Sequence, residues 1–224
     1  MKIFLDSANL DELEVCLKRG CISGVTTNPS ILSKEPKTDF MKHIQKMADL
    51  CKRYNQQVPL SVEVFTTDPQ EMIVQAHELV EKIDYENLNI KIPIGWDELE
   101  VIYQLSREGI AVNCTCIFSE GQSQLAAEAG AEFISIFWGR LRDIGGEPVP
   151  VIQNVRQLLD ENGHSAKIIV GSIRHPKEVS EAHVAGGHIV TAGMKLFKAM
   201  ASHPQTDMSV EGFLRDFKSW MVTS

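Results

Sequence analysis

The chain has 224 residues, the size of one large domain, and 43% are apolar, enough for a core that needs no disulfide or metal staples. Its 23% of charged residues and modest 15 glycines exclude a disordered or fibrous chain. The formal charge of −8, spread along the sequence, speaks against a nucleic-acid binder, yet a few arginines can still make a local anion site.

Met1 is followed at once by a predicted strand containing an Asp, so no signal peptide is expected. No apolar run approaches the ~20 residues of a membrane span. Cys16, Cys21, Cys51, Cys114 and Cys116 are odd in number and irregular in spacing, which predicts free thiols in a reducing, cytoplasmic setting. Cys114 and Cys116 lie two apart on one predicted strand, the wrong geometry for a zinc knuckle, and the histidines lack ligand spacing. No metal is expected.

In chain order, 1–6 reads as a strand and 10–19 as an amphipathic helix. Residues 22–27 form a second strand, and a long helix at about 38–55 carries Met41, Ile44, Met47 and Leu50 at helical spacing. The third strand is 60–65, after which Asp68 caps a helix with Pro69 in its first turn. Strand four is 87–95, with a helix at 96–107. Strand five is 110–118, and Ser119 caps a helix through about 129 that stops near Gly130. Strand six, 132–138, leads into a loop rich in Gly and Pro and a helix near 150–162. Strand seven, 167–173, precedes a helix beginning near Pro176. Strand eight, 187–192, is followed by a short helix to about 201 and a last helix at 208–222. Strand–helix units repeated eight times predict an α/β fold, a single (β/α)8 TIM barrel over 1–224. A doubly wound sheet is the alternative, but the dinucleotide glycine fingerprint is missing.

Within strand four, alternation puts Asn89 and Lys91 on one face and Ile90 and Ile92 on the other. A lysine set among isoleucines is costly as an ammonium and escapes the cost by losing its proton. The neutral amine is also the form that attacks a carbonyl to make a Schiff base. The plainer alternative is a lysine that reaches solvent or pairs with a carboxylate.

Barrel enzymes place chemistry at the C-terminal ends of their strands. Those ends here carry Asp6, Thr26 and Asn28, Glu63, Lys91, Asn113 and Thr115, Ser135, and Ser172 with Arg174. Singly, each has a structural reading: Asp6 as a helix cap, Thr26 and Asn28 as turn residues, Glu63 as the partner of Lys91. Together they suggest a division of labour. Lys91 would attack a ketone, Asp6 or Glu63 would move protons, and Asn28 and Asn113 would hold hydroxyls of a polyol. Arg140, Ser172 and Arg174 follow strands six and seven, the usual phosphate end of such barrels, and supply two guanidinium forks. Arg142, two beyond Arg140, reads as a surface charge.

Asp6-Ser-Ala-Asn9, Gly24-Val-Thr-Thr-Asn-Pro-Ser30, Asn89-Ile-Lys-Ile-Pro93, Val112-Asn-Cys-Thr115 with Ile117-Phe-Ser119, and Ile189-Val-Thr191 resemble, in order, the transaldolase family. The likeness is to its short-chain branch, which includes the fructose-6-phosphate aldolases. It implies a Schiff base between Lys91 and C2 of a ketose phosphate, fructose 6-phosphate or sedoheptulose 7-phosphate. It further implies that Asp6 takes the C4 hydroxyl proton while the C3–C4 bond breaks. A dihydroxyacetone unit then passes to erythrose 4-phosphate or glyceraldehyde 3-phosphate, a pentose phosphate pathway reaction without cofactor. By the same resemblance, Glu63 and Thr115 hold the proton-shuttling water. Thr26, Asn28, Asn113, Ser135 and Phe137 line the sugar, and Arg140, Ser172 and Arg174 take the phosphate.

Two positions separate transfer from simple aldol cleavage. Glu63 resembles transaldolases, where the aldolases carry Gln. Phe137 stands where the aldolases have a Tyr whose hydroxyl protonates the enamine, so both residues predict transfer. The chain departs from the family pattern at Ile136, Trp138, Gly193-Met194 and Cys116, where Pro, a smaller apolar residue, Pro-Pro and Leu are usual. These flank the pocket and bear on the acceptor.

In the last helix Val210, Phe213, Leu214, Phe217, Trp220 and Met221 make a broad apolar stripe. It can fold back on its own barrel or cover a neighbouring subunit. The resemblance implies the second, in a pentamer or stacked decamer, so a ring-forming homo-oligomer is expected. A fructose-6-phosphate-type aldolase, a pathway-specific transferase and a sugar-phosphate-binding barrel without activity are the rival readings.

Overall fold

The structure, a computed structural model, describes residues 1–54 and 58–221. Eight parallel strands close into a barrel in chain order: β1 Lys2–Asp6, β2 Val25–Thr26, β3 Leu60–Glu63, β4 Leu88–Pro93, β5 Val112–Ile117, β6 Phe133–Phe137, β7 Lys167–Gly171 and β8 Ile189–Ala192. The helices are α1 Leu10–Lys18, α2 Pro29–Leu32, α3 Phe40–Arg53, α4 Pro69–Lys82, α5 Glu98–Arg107, α6 Glu120–Glu128, α7 Trp138–Asp143, α8 Pro148–Glu161, α9 Pro176–Val184, α10 Met194–Ala201 and α11 Pro204–Trp220. This is the (β/α)8 barrel with a C-terminal helix that the alternation of periods predicts.

Local chemistry sets the boundaries. Asp68 accepts from the Glu71 amide at 2.9 Å and Pro69 opens α4, while Ser119 accepts from the Gln122 amide at 3.3 Å to start α6. The chain leaves α6 through Gly130 at φ +94°, a left-handed conformation that favours glycine. Two short helices were not expected. Asn28 caps α2, its side chain accepting from the Ile31 amide at 3.0 Å, and α7 begins at Trp138 directly on the end of β6, where a loop was predicted. The last helix starts at Pro204, earlier than 208, because His203 caps it through the Gln205 amide. Residue 55 of the expected long helix and residue 222 of the expected last one lie outside the described residues.

The apolar side chains form two cores. Outward-facing Leu5, Ile90, Ile134, Ile168 and Val190 pack with the inner faces of the helices in one large cluster. Inside the barrel, Phe4, Phe133, Ile169 and Ile189 form a separate plug, with Phe4 and Phe133 edge-to-face at 6.4 Å. On three of these strands the next inward position turns polar, to Asp6, Ser135 and Thr191. Period two thus closes one end of the barrel with apolar groups and opens the other to chemistry. α11 stands apart, with no buried residue.

Candidate active site

Parallel registry brings the polar positions side by side. Asp6 pairs with Thr26, Glu63 with Lys91, and Lys91 with Asn113. Lys91 is 4% exposed; its Nζ lies 3.0 Å from Glu63 Oε2 and donates to the Thr27 carbonyl at 2.7 Å. The amine is dry, as expected, but it is not solitary. A carboxylate and a carbonyl compensate its burial, and Glu63 is near enough to exchange a proton with it directly.

Asp6, half-buried, accepts from Thr26 Oγ1 at 2.7 Å. That hydroxyl has one proton and gives it to Asp6, so the 2.6 Å contact between Thr26 and Thr191 is a bond donated by Thr191. Burial pushes the Asp6 carboxyl above its ordinary value, with the Lys91 charge and the Thr26 bond opposing. Such a shift favours a group that both takes and returns a proton.

On the other side of Lys91, Ser135 donates to Asn113 Oδ1 at 2.6 Å and Asn113 Nδ2 donates to Ser61 Oγ at 3.0 Å. This chain fixes the amide and leaves one of its N–H donors uncommitted. The Thr115 hydroxyl is fully buried without a hydrogen-bond partner among the described residues. Between Cys114 and Ile117, three steps of β5 oppose two of β6, a bulge in which Cys116 takes φ +61°. Its thiol sits within the fields of Glu63 and Lys91, and burial pushes its titration up. Asn28 uses one lone pair of its carbonyl oxygen to cap α2, which orients the side chain and leaves its amide nitrogen as a donor for a ligand. Glu63 also lines a cavity of about 420 Å³ between α2, α3 and β3.

The arginines gather beyond β6 and β7. Arg140 lies over the Phe137 ring at 4.8 Å from its centroid, and Phe137 is held edge-on by Phe118 at 5.7 Å. Arg140 is exposed and makes no ion pair among the described residues. Ser172 adopts φ +60°, and its carbonyl accepts from the Gly139 amide at 3.2 Å, tying the end of β7 to α7. Arg174 forms a two-pronged pair with Asp143, at 2.7 and 2.6 Å. Arg142 is more than a surface charge: it donates to Glu178 at 2.8 Å, and Glu178 also accepts from the Arg174 and His175 amides. Trp138, the buried first residue of α7, finds no partner for its Nε1 among the described residues.

The geometry therefore gathers Asp6 with Thr26, Glu63 with Lys91, and Asn113 with Ser135 at the ends of the strands, with Asp6 in the fields of Lys91 and Glu63. Arg140, Ser172 and Arg174 gather at the adjoining rim. Sequence reasoning did not single out Thr191, Ser61, Asp143 or Glu178, which support these groups from behind. Among the described residues no cluster of His, Cys, Asp or Glu has the makings of a metal site, and no helix is long and apolar enough to cross a membrane.

A buried lysine paired with a carboxylate, with polar side chains gathered at the C-terminal ends of the strands of a (β/α)8 barrel, is the layout of a barrel enzyme. Residues 3–223 match the family model described as Transaldolase/Fructose-6-phosphate aldolase. A "probable transaldolase" of Heliobacterium modesticaldum is 43% identical over 219 residues, 98% of either chain. One of Clostridium acetobutylicum is 40% identical, covering 97% of this chain and 98% of its own. One of Lactiplantibacillus plantarum is 39% identical, covering 100% and 99%. The chain belongs to the transaldolase/fructose-6-phosphate aldolase family.

Proposed function

We propose that the protein is a transaldolase that moves a dihydroxyacetone unit from fructose 6-phosphate or sedoheptulose 7-phosphate to an aldose phosphate. The observation that carries the reading is the dry Nζ of Lys91, 3.0 Å from Glu63 and in the same layer as Asp6. Lys91 adds to C2 of the ketose, and Glu63 takes the ammonium proton and returns it as the carbinolamine loses water. The buried Thr115 hydroxyl has no hydrogen-bond partner among the described residues, at a cost of about 1–3 kcal/mol, a reason for it to bind the water of these steps. Asp6 then accepts the C4 hydroxyl proton, the C3–C4 bond breaks, and its electrons flow into the imine to leave an enamine. The departing aldose phosphate gives way to the acceptor aldehyde. The enamine carbon attacks it, Asp6 returns its proton to the new hydroxyl, and hydrolysis frees Lys91.

Thr26, Asn28, Asn113 and Ser135 hold sugar hydroxyls in this reading, while Arg140, Ser172 and Arg174 hold the phosphate. Phe137 keeps Arg140 in place and, having no hydroxyl, cannot protonate the enamine, which therefore waits for an acceptor. Product analysis with fructose 6-phosphate tests this. New ketose phosphate should appear only with an added aldose phosphate; substantial free dihydroxyacetone without an acceptor would mark an aldolase instead.

The same reading makes the chain a homo-oligomer, a pentamer or stacked decamer. Every described residue of α11 is exposed except the half-buried Gly212, with Phe213 at 70% and Trp220 at 77%. Such a stripe on a helix clear of its own barrel suits burial on a second copy. Light scattering checks it: Phe213→Glu with Trp220→Glu should yield monomers. The five free cysteines suit a cytoplasmic location.

A further inference from the structure

Arg174 is already engaged, and the way it is engaged assigns a role to Asp143. The carboxylate of Asp143 meets the far end of the guanidinium, Oδ1 on Nη1 at 2.7 Å and Oδ2 on Nη2 at 2.6 Å. A guanidinium has five N–H donors, so this pairing uses two and leaves three. A Cβ placed on Gly139 would lie 2.9 Å from Ser172 Oγ and 3.0 Å from Arg174 Nε, and would run into the Ser172 carbonyl. The missing side chain of Gly139 thus lets Ser172 and the Arg174 side chain pack closely against α7 and beside each other. Behind them, Glu178 accepts from the Arg174 and His175 amides at 2.7 and 3.0 Å and from Arg142 at 2.8 Å, fixing the backbone that carries Ser172 and Arg174 to α7.

We propose that Asp143 is a positioning residue for the phosphate end of the substrate. It holds Arg174 end-on beside the Ser172 hydroxyl, so that the donors left on the guanidinium and that hydroxyl receive the substrate phosphate together. The inference rests on the sugar-phosphate reading above and goes further, by naming the carboxylate that aims the arginine. It also runs against simple charge counting. Asp143 adds a negative charge near an anion site, so on Coulomb grounds alone its removal should tighten phosphate binding. If it aims the arginine, removal loosens binding, because the long side chain then has to be ordered by the substrate itself.

Asp143→Asn separates the two, since it removes the charge at an exposed position. The measurement is steady-state kinetics with fructose 6-phosphate and with unphosphorylated fructose, using one acceptor. The expected result is a KM for fructose 6-phosphate about tenfold higher, and a similar fall in the ratio of kcat/KM between the two ketoses. An unchanged ratio, or a lower KM for fructose 6-phosphate, would overturn the assignment. Gly139→Ala, whose methyl would push Ser172 and Arg174 away from α7, should lower the same ratio further; an unaltered ratio there would also contradict it. A wild-type protein that transfers nothing from fructose 6-phosphate would defeat the functional reading itself, a different outcome from an active enzyme indifferent to Asp143.

Discussion

Two levels inside the barrel meet on β1, β6 and β8, two residues apart, and they do opposite things. At the floor Phe4, Phe133, Ile169 and Ile189 pack edge-to-face and side-by-side with no polar atom among their side chains. One step up, Asp6 with Thr26 and Thr191, Ser135 with Asn113, and Glu63 with Lys91 form three sets of short polar contacts. The floor gains by removing apolar area from water, about 25 cal/mol per Å². The upper layer buries charged groups, which stabilises little or nothing against an apolar equivalent. The division teaches that stability and chemistry sit on neighbouring positions of one strand. Substitutions at the two levels should fail in different ways.

The largest separation is expected at Lys91→Met, which keeps bulk and removes the nitrogen. Transfer should fall by about 10⁴-fold or more, while the thermal unfolding midpoint stays close to wild type. A variant that unfolds instead would make Lys91 part of the scaffold. Asp6→Asn should lower kcat by about 10²–10⁴-fold and has a stability signature as well. The folded-state value of Asp6 is raised above 3.8, so its ionised form is disfavoured by folding. Its favourable contribution is present below 3.8 and is lost as pH rises through the folded value. The variant should therefore match or exceed wild-type stability at neutral pH, with the gap closing in acid. The acid limb of kcat/KM in the wild type should have its midpoint above 3.8; a midpoint at or below that value would remove Asp6 as the base.

Phe133→Ala inverts the pattern. It should cost about 3–5 kcal/mol in a denaturant melt while the folded fraction turns over within about threefold of wild type, since the ring packs in the floor cluster. A loss of kcat without a loss of stability would erase the distinction between the levels. The smallest effect belongs to Thr191→Val, which deletes the hydroxyl behind Thr26 at a cost of about 1 kcal/mol. A fewfold fall in kcat is expected, and none at all would mean that Thr26 orients Asp6 unaided.

The barrel was legible because a half-buried strand and an amphipathic helix leave different periods, and eight alternations of the two admit few folds. α2 and α7 were not, since four and six residues are too few to show a helical period. The start of α11 was missed because its signal is a cap, His203 before Pro204, and not apolar spacing. At the site, the residues that face the cavity announced themselves as polar side chains at the ends of apolar strands. Thr191 and Ser61 did not stand out, since a hydroxyl in a strand is ordinary until its partner is known. Asp143 and Glu178 were illegible for a plainer reason: their arginines lie 31 and 36 positions away, across one helix and one strand. The company Lys91 keeps was only partly foreseen. Alternation showed that it is buried, and parallel registry was needed to set Glu63 beside it.

Whether that lysine carries the chemistry is open to one direct test. The protein is incubated with fructose 6-phosphate, reduced with borohydride, digested, and its peptides are weighed. A stable adduct on the peptide containing Lys91, missing when the sugar is omitted, is the outcome expected of a lysine imine. A labelled peptide from elsewhere in the chain, or a chain that turns over sugar yet carries no adduct, would contradict it.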